Sequence, residues 1–183
     1  MMDMQGVLDR AGVYEYGVVN PRDVEFSEEV RKYCEENLCR RYGMTWVCPP
    51  AVGTVDECRD RAQSYDKMLV FSGRFDIKDM RDMDEVVAAL MSFKDIAGRV
   101  DEETRALLER RLMLSNEGCG ICESCTYPED PCRYPEKAHG SIEGYGIWVS
   151  KLAEQAGMQY NGGENSLIFF GALLYDDAEL ENG

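Results

Sequence analysis

Four thiols fall within fourteen residues of this chain: Cys119-Gly-Ile-Cys-Glu-Ser-Cys125, closed by Cys132 in Pro131-Cys-Arg-Tyr-Pro135. The segment is rich in Gly and Pro and poor in bulky aliphatics. Cysteines three residues apart let a short backbone wrap one compact object, each thiolate pointing inward at a different corner. A cubane with several iron corners suits that spacing, and the C-x2-C-x2-C run matches the ligand run of bacterial ferredoxins. One tetrahedral zinc more usually takes two separated C-x2-C knuckles, because each knuckle fills two corners. Ligand geometry therefore puts iron–sulfur ahead of structural zinc. A redox-active dithiol is a third reading, since Cys119/Cys122 and Cys122/Cys125 are each C-x-x-C pairs. Such pairs sit near a βαβ pattern, whereas helical residues with no clear strand precede this loop.

A length of 183 residues is enough to bury a core, and the chain reads most simply as one α/β domain over residues 1–183. Its cysteine-rich segments lie at about 34–58 and 119–135. The formal charge of −15, from 35 Asp and Glu against 20 Lys and Arg, disfavours binding to phosphate backbones. A basic or neutral protein partner fits better than nucleic acid or an anionic membrane, unless the acidity only maintains solubility. The start, Met1-Met-Asp-Met-Gln-Gly6, has no basic segment followed by an apolar run, and no stretch is long enough to span a bilayer. A cytoplasmic setting is expected, where eight cysteines serve as ligands, reactive groups or core residues rather than disulfides.

Val13–Val19 has the β-branched and aromatic content of a strand, and Ser27 is the expected N-cap of a helix ending near Gly43. That helix carries Val30, Tyr33, Cys34, Asn37 and Leu38 at helical spacing, with Cys39 near its end. Cys48-Pro49-Pro50 holds its cysteine on a rigid turn. Cys34, Cys39 and Cys48 are thus a second candidate ligand group, with core packing as the competing explanation. Thr54 and Glu57 form a capping box for a helix on which Cys58 faces inward. There it reads as a small hydrophobe, with ligation as the alternative.

Lys67–Gly73 is expected to be a strand buried on both faces. The helix after it has an apolar stripe of Met83, Val86, Val87, Leu90, Met91 and Ala97, and Gly98 is its expected end. Asp101 then caps a further helix carrying Leu107, Leu108 and Leu112. After the cysteine loop, Ser141 caps a helix that stops at Gly157, with Gly144 and Gly146 allowing close approach of another backbone. Ser166–Tyr175 is the last buried strand, and Asp176–Gly183 an acidic, loose tail. Interleaved strands and helices predict a mixed sheet flanked by helices, with the cysteine loops at one edge. His139, the single histidine, reads as a solvated loop residue, with ligand or proton carrier as the alternative. One histidine excludes a Rieske centre. Phosphate-loop and dinucleotide fingerprints are absent.

Two segments together, Cys39…Tyr-Gly-Met-Thr-Trp-Val-Cys-Pro-Pro50 and Cys119-x2-Cys-x2-Cys…Pro-Cys-Arg-Tyr-Pro-Glu-Lys-Ala138, resemble a known family. It is the predicted metal-binding protein family (domain of unknown function 2284), common in anaerobic bacteria and archaea. Ser141-Ile-Glu-Gly-Tyr-Gly-Ile-Trp-Val149 is similar to the family's S-M-E-A-x-G-I-x-V stretch, and Phe-Phe-Gly-Ala-Leu-Leu174 to its closing strand. Gly140 stands where the family has Pro, and Tyr134 where His is common. The resemblance implies metal binding through an iron–sulfur cluster and supplies no reaction.

The leading expectation is an iron–sulfur protein that carries one electron at a time or docks on a redox enzyme. Its [4Fe–4S] centre would sit on Cys119, Cys122, Cys125 and Cys132, with a second centre open at the first group. Gly118 and Gly120 would bring backbone N–H groups near the sulfurs, and Arg133 would offset cluster charge. The alternative is a zinc-stapled interaction module without catalysis. An enzyme holding substrate with Arg40, Arg41, Arg133 or His139 is a third reading, but no acid–base pair of defined spacing supports it.

Overall fold

The computed structural model describes residues 4–176. Among them one sheet contains β1 (Glu15–Val19), β2 (Lys67–Asp76), β3 (Arg111–Ser115), β4 (Gly140–Ser141) and β5 (Ser166–Tyr175). Their order is β1-β2-β5-β3-β4. β5 runs antiparallel to both β2 and β3, while β3 and β4 are parallel, so the sheet is mixed.

Alternation along the central strands builds two apolar layers. Met68, Val70, Ala172 and Leu174 belong to the layer under α3 (Val55–Gln63) and α5 (Val149–Gln155). Leu69, Phe71, Met113 and Leu173 belong to the layer under α1 (Met4–Ala11) and α4 (Met83–Arg105). The expected mixed sheet flanked by helices is what these layers form. β3 leaves the sheet into residues 116–139 and returns as β4, so the cysteine loop emerges at that edge.

Local chemistry sets several boundaries as expected. Ser27 accepts from the Glu29 N–H and caps α2 (Glu28–Glu35), and Thr54 with Glu57 completes a capping box on α3. Other boundaries differ. α2 stops at Glu35, well before Gly43, because Asn37 takes a left-handed φ of 56° and its side chain accepts from the Tyr42 N–H. An asparagine tolerates that conformation through such local hydrogen bonding.

α4 runs straight through Gly98, so Asp101 lies inside a helix instead of capping one. A single glycine costs about 1 kcal/mol in a helix, too little to break one packed along its length. The buried face of α4 is Ala89, Phe93, Ile96, Ala97, Val100 and Thr104. Met83, Val87 and Met91 of the expected stripe are exposed. The expected Leu107–Leu112 helix is absent; Leu112 is in strand β3, held between β5 and β4.

Ser141 ends β4 rather than capping a helix, and a 3-10 turn follows at Glu143–Tyr145. Gly146, at φ 81°, separates that turn from α5, and its carbonyl accepts from the Ser27 N–H at 2.7 Å. α1 has no counterpart among the sequence expectations; its Leu8 and Ala11 complete the layer under α4. The acidic tail begins at Asp176, which pairs with Arg110 at 2.7 Å, and residues 177–183 lie outside the described residues. No helix among the described residues is long and apolar enough to cross a membrane.

Candidate metal centre

The cysteine loop is anchored before its first thiol. Lys94 on α4 donates to the carbonyls of Asn116 at 2.9 Å and Gly118 at 2.7 Å. Glu117 between them adopts a left-handed φ of 48°, which turns the chain toward Cys119. Burial lowers the pKa of Lys94, opposed by the negative groups Glu117 and Cys119 nearby. Further along, the Thr126 hydroxyl donates to the Pro131 carbonyl at 2.9 Å and Arg133 to the Ser124 carbonyl at 2.9 Å. These bonds fold the loop back on itself.

Cys119, Cys122, Cys125 and Cys132 all line one cavity of about 350 Å³. Arg40, Arg41 and Arg133 line it too, together with Glu123 and Glu129, so the cations around the thiols only slightly outnumber the carboxylates. Burial raises the pKa of Cys119, while a hydrogen bond from the Ile121 backbone N–H favours its thiolate. Among the described residues no three His, Cys, Asp or Glu side chains are gathered to hold a single metal ion. The four thiols stand around a shared hollow instead. As a donor set they offer soft sulfur ligands to a thiophilic metal.

The segment between α2 and α3 closes against this loop. Trp46 donates from Nε1 to the Asp130 carbonyl at 3.0 Å and meets the Tyr127 ring edge-on at 5.0 Å. A close approach lies at Gly118, where an added Cβ would lie 2.5 Å from the Cys48 sulfur and 3.5 Å from the Arg41 Cβ. Gly118 therefore permits contact between the two cysteine segments. Gly120, expected to do similar work, faces open space. Gly118→Ala should push the segments apart, costing about 1–3 kcal/mol as an overpacked contact does, and should lower metal content. Gly120→Ala should leave metal content unchanged; equal metal loss in both variants would refute the contact's role.

Cys34, Cys39 and Cys48 come close enough for their charges to interact. Burial raises Cys34 to about 11, with Glu143 and the neighbouring thiols adding to the rise and Arg31 opposing it. Burial also raises Cys48, against the favourable Thr45 hydroxyl. Cys58 is fully buried in the layer beneath α3, where its S–H faces the Val52 carbonyl at 3.6 Å and its sulfur accepts from Arg31 at 3.6 Å. It packs as the small hydrophobe expected of that helix face.

Sequence reasoning missed Glu143. Arg31 on α2 donates to the Gly144 carbonyl at 2.7 Å, and Cys34, one turn further along the helix, faces the same 3-10 turn. Pro49, next to Cys48, packs on Gly144 from the other side. The signal was present in the Ser141-Ile-Glu-Gly144 stretch, but only folding places its carboxylate beside the thiols.

His139 lines a different cavity, together with Asp101 and Cys119. It is not a solvated residue: its side chain is 16% exposed, and its Nε2 lies 3.3 Å from the Asp101 carboxylate.

With this geometry in place, comparison with known families is informative. A family model described as Predicted metal-binding protein (DUF2284) matches residues 17–175. That span contains every cysteine. No curated protein and no solved structure matches the chain.

Proposed function

We propose that this chain, which belongs to the predicted metal-binding protein family, holds a [4Fe–4S] cluster and passes single electrons to or from a protein partner. The observation that supports this reading is the one cavity lined by Cys119, Cys122, Cys125 and Cys132. Four thiolates around a hollow are the donor set of such clusters. Bound there, the cluster supplies one-electron transfer.

The chain's own residues account for the rest. The four thiols hold the group, and the Ile121 N–H stabilises negative charge at the Cys119 sulfur. Arg40, Arg41 and Arg133 place positive charge on the cavity wall, which favours the more negative, reduced state. The net charge of −15 suits a partner with a basic docking face. The same reading extends to Cys34, Cys39 and Cys48 as a second centre, with Glu143 as the carboxylate beside them.

Two measurements test this function. The iron-loaded protein should be reduced reversibly by one electron per cluster, and a protein that takes up no electron would refute the carrier role. Arg133→Gln should lower the midpoint potential by up to about 60 mV, a tenfold change for a one-electron couple. An unchanged potential would remove Arg133 from the account.

A further inference from the structure

We propose that a second cavity, between α4 and the start of the cysteine loop, binds a small oxyanion-bearing metabolite, a carboxylate or a phosphate, beside Cys119. The cavity measures about 490 Å³, within the usual size of small-molecule sites. Binding of the ligand is independent of the cluster; its position next to a metal centre rests on the function proposed above.

Charge is the first argument. The chain as a whole is strongly acidic at −15, yet this cavity is lined by Lys94, Arg99, Arg105 and Lys137 against Asp95, Asp101 and Glu102. Asp101 is already committed: it accepts from Arg105 at 2.6 Å and from Arg111 at 3.1 Å. The concave site thus carries four cations against three carboxylates, a small positive excess in a strongly acidic chain, and Lys137 is the cation not already bonded within the fold. The Lys137 side chain makes no hydrogen bond or ion pair among the described residues.

Unmet donors are the second argument. Arg105 Nε is buried without a hydrogen-bond partner, in a side chain that lines the cavity. Asn116 Nδ2, in the residue after the lining Ser115, is a second such atom, although Asn116 does not itself line the cavity. Arg105 Nε and Asn116 Nδ2 can only donate, and buried donors left unpaired are costly. A ligand rich in acceptor oxygens, with a small turn of these side chains, meets that need. A purely cationic ligand does not, and the cation excess favours an anion over a neutral acceptor.

Position is the third. Cys119 and Ile121 line this cavity and the thiol-lined one alike, so the two cavities share that stretch of wall. A ligand seated here lies next to a group held on Cys119. His139 stands at the same place, oriented by Asp101.

The test uses the full chain, loaded with iron, and titrates it with inorganic phosphate and with malonate by calorimetry. At least one probe should bind saturably. Lys137→Gln should weaken binding about tenfold, as loss of a charged hydrogen bond does, and Lys137→Arg should restore it. Glu102→Gln should tighten binding. Because the chain has one histidine, isotope-labelled imidazole gives a single assignable NMR signal, which should shift with the same affinity. No saturable binding of either probe overturns the proposal. So does binding that neither Lys137→Gln nor the His139 signal registers, since the anion then sits elsewhere. Which probe binds separates the carboxylate from the phosphate arm. If the protein proves to hold no iron while anion binding at His139 persists, the electron-transfer reading falls and the anion site stands.

Discussion

Asp101→Asn should lower folding stability by about 3 kcal/mol, the cost of breaking a buried charge network by removing one partner. The Asp101 side chain is 6% exposed and faces Arg105, Arg111 and His139. Burial alone would raise its pKa. The hydrogen bonds and charges of His139, Arg105 and Arg111 overcome burial and hold it at about 2. A carboxyl whose folded pKa lies below its unfolded value near 3.9 stabilises the fold at all pH above about 4. That contribution declines as pH falls through about 2. Thermal unfolding at neutral pH should therefore separate wild type from Asp101→Asn by roughly 10 °C in Tm. The gap should narrow as both are acidified from pH 5 toward pH 2. A difference under about 0.5 kcal/mol at neutral pH, the size of an ordinary surface change, would show that the network contributes nothing.

A larger effect is expected at the thiols. Replacing Cys122 or Cys125 by serine should remove most of the metal bound at the second segment. It should also destabilise the loaded protein by several kcal/mol, because metal binding and folding are coupled. Cys58→Ser should behave differently. Cys58 is buried in the layer of α3 and lines neither cysteine cavity. Its replacement should cost about 1–3 kcal/mol through a poorly satisfied buried hydroxyl while metal content stays intact. Metal analysis paired with denaturation curves distinguishes the two outcomes. Full metal retention in Cys122→Ser and Cys125→Ser would refute their role as ligands.

The cysteine loop was legible in the sequence because its information is local. Spacing alone says that Cys119, Cys122 and Cys125 can face one object, and the structure lines one cavity with them and Cys132. β2, β5, the Ser27 cap and the Thr54–Glu57 capping box were legible for the same reason, since runs of apolar residues and cap chemistry act over a few positions. The face of α4 was not. Apolar residues surround that helix, and only the sheet decides that Phe93, Ile96 and Val100 turn inward while Met83 and Met91 do not. β3 was hidden because Leu107, Leu108 and Leu112 fall at helical spacing, although β5 draws Leu112 into the sheet. The partners of His139 and Cys34 were hidden by distance along the chain. Asp101 and Glu143 reach them only after α4 and the 3-10 turn have packed.

The claim that four thiols hold an iron–sulfur cluster is tested most directly by composition. Protein expressed with ample iron and purified without oxygen should be brown and should contain iron and acid-labile sulfide in equal amounts. About four of each per cluster are expected, with bleaching on reduction. Replacement of Cys132 by serine should remove that colour. Stoichiometric zinc without sulfide in the same preparation would contradict the account and make the centre a structural staple.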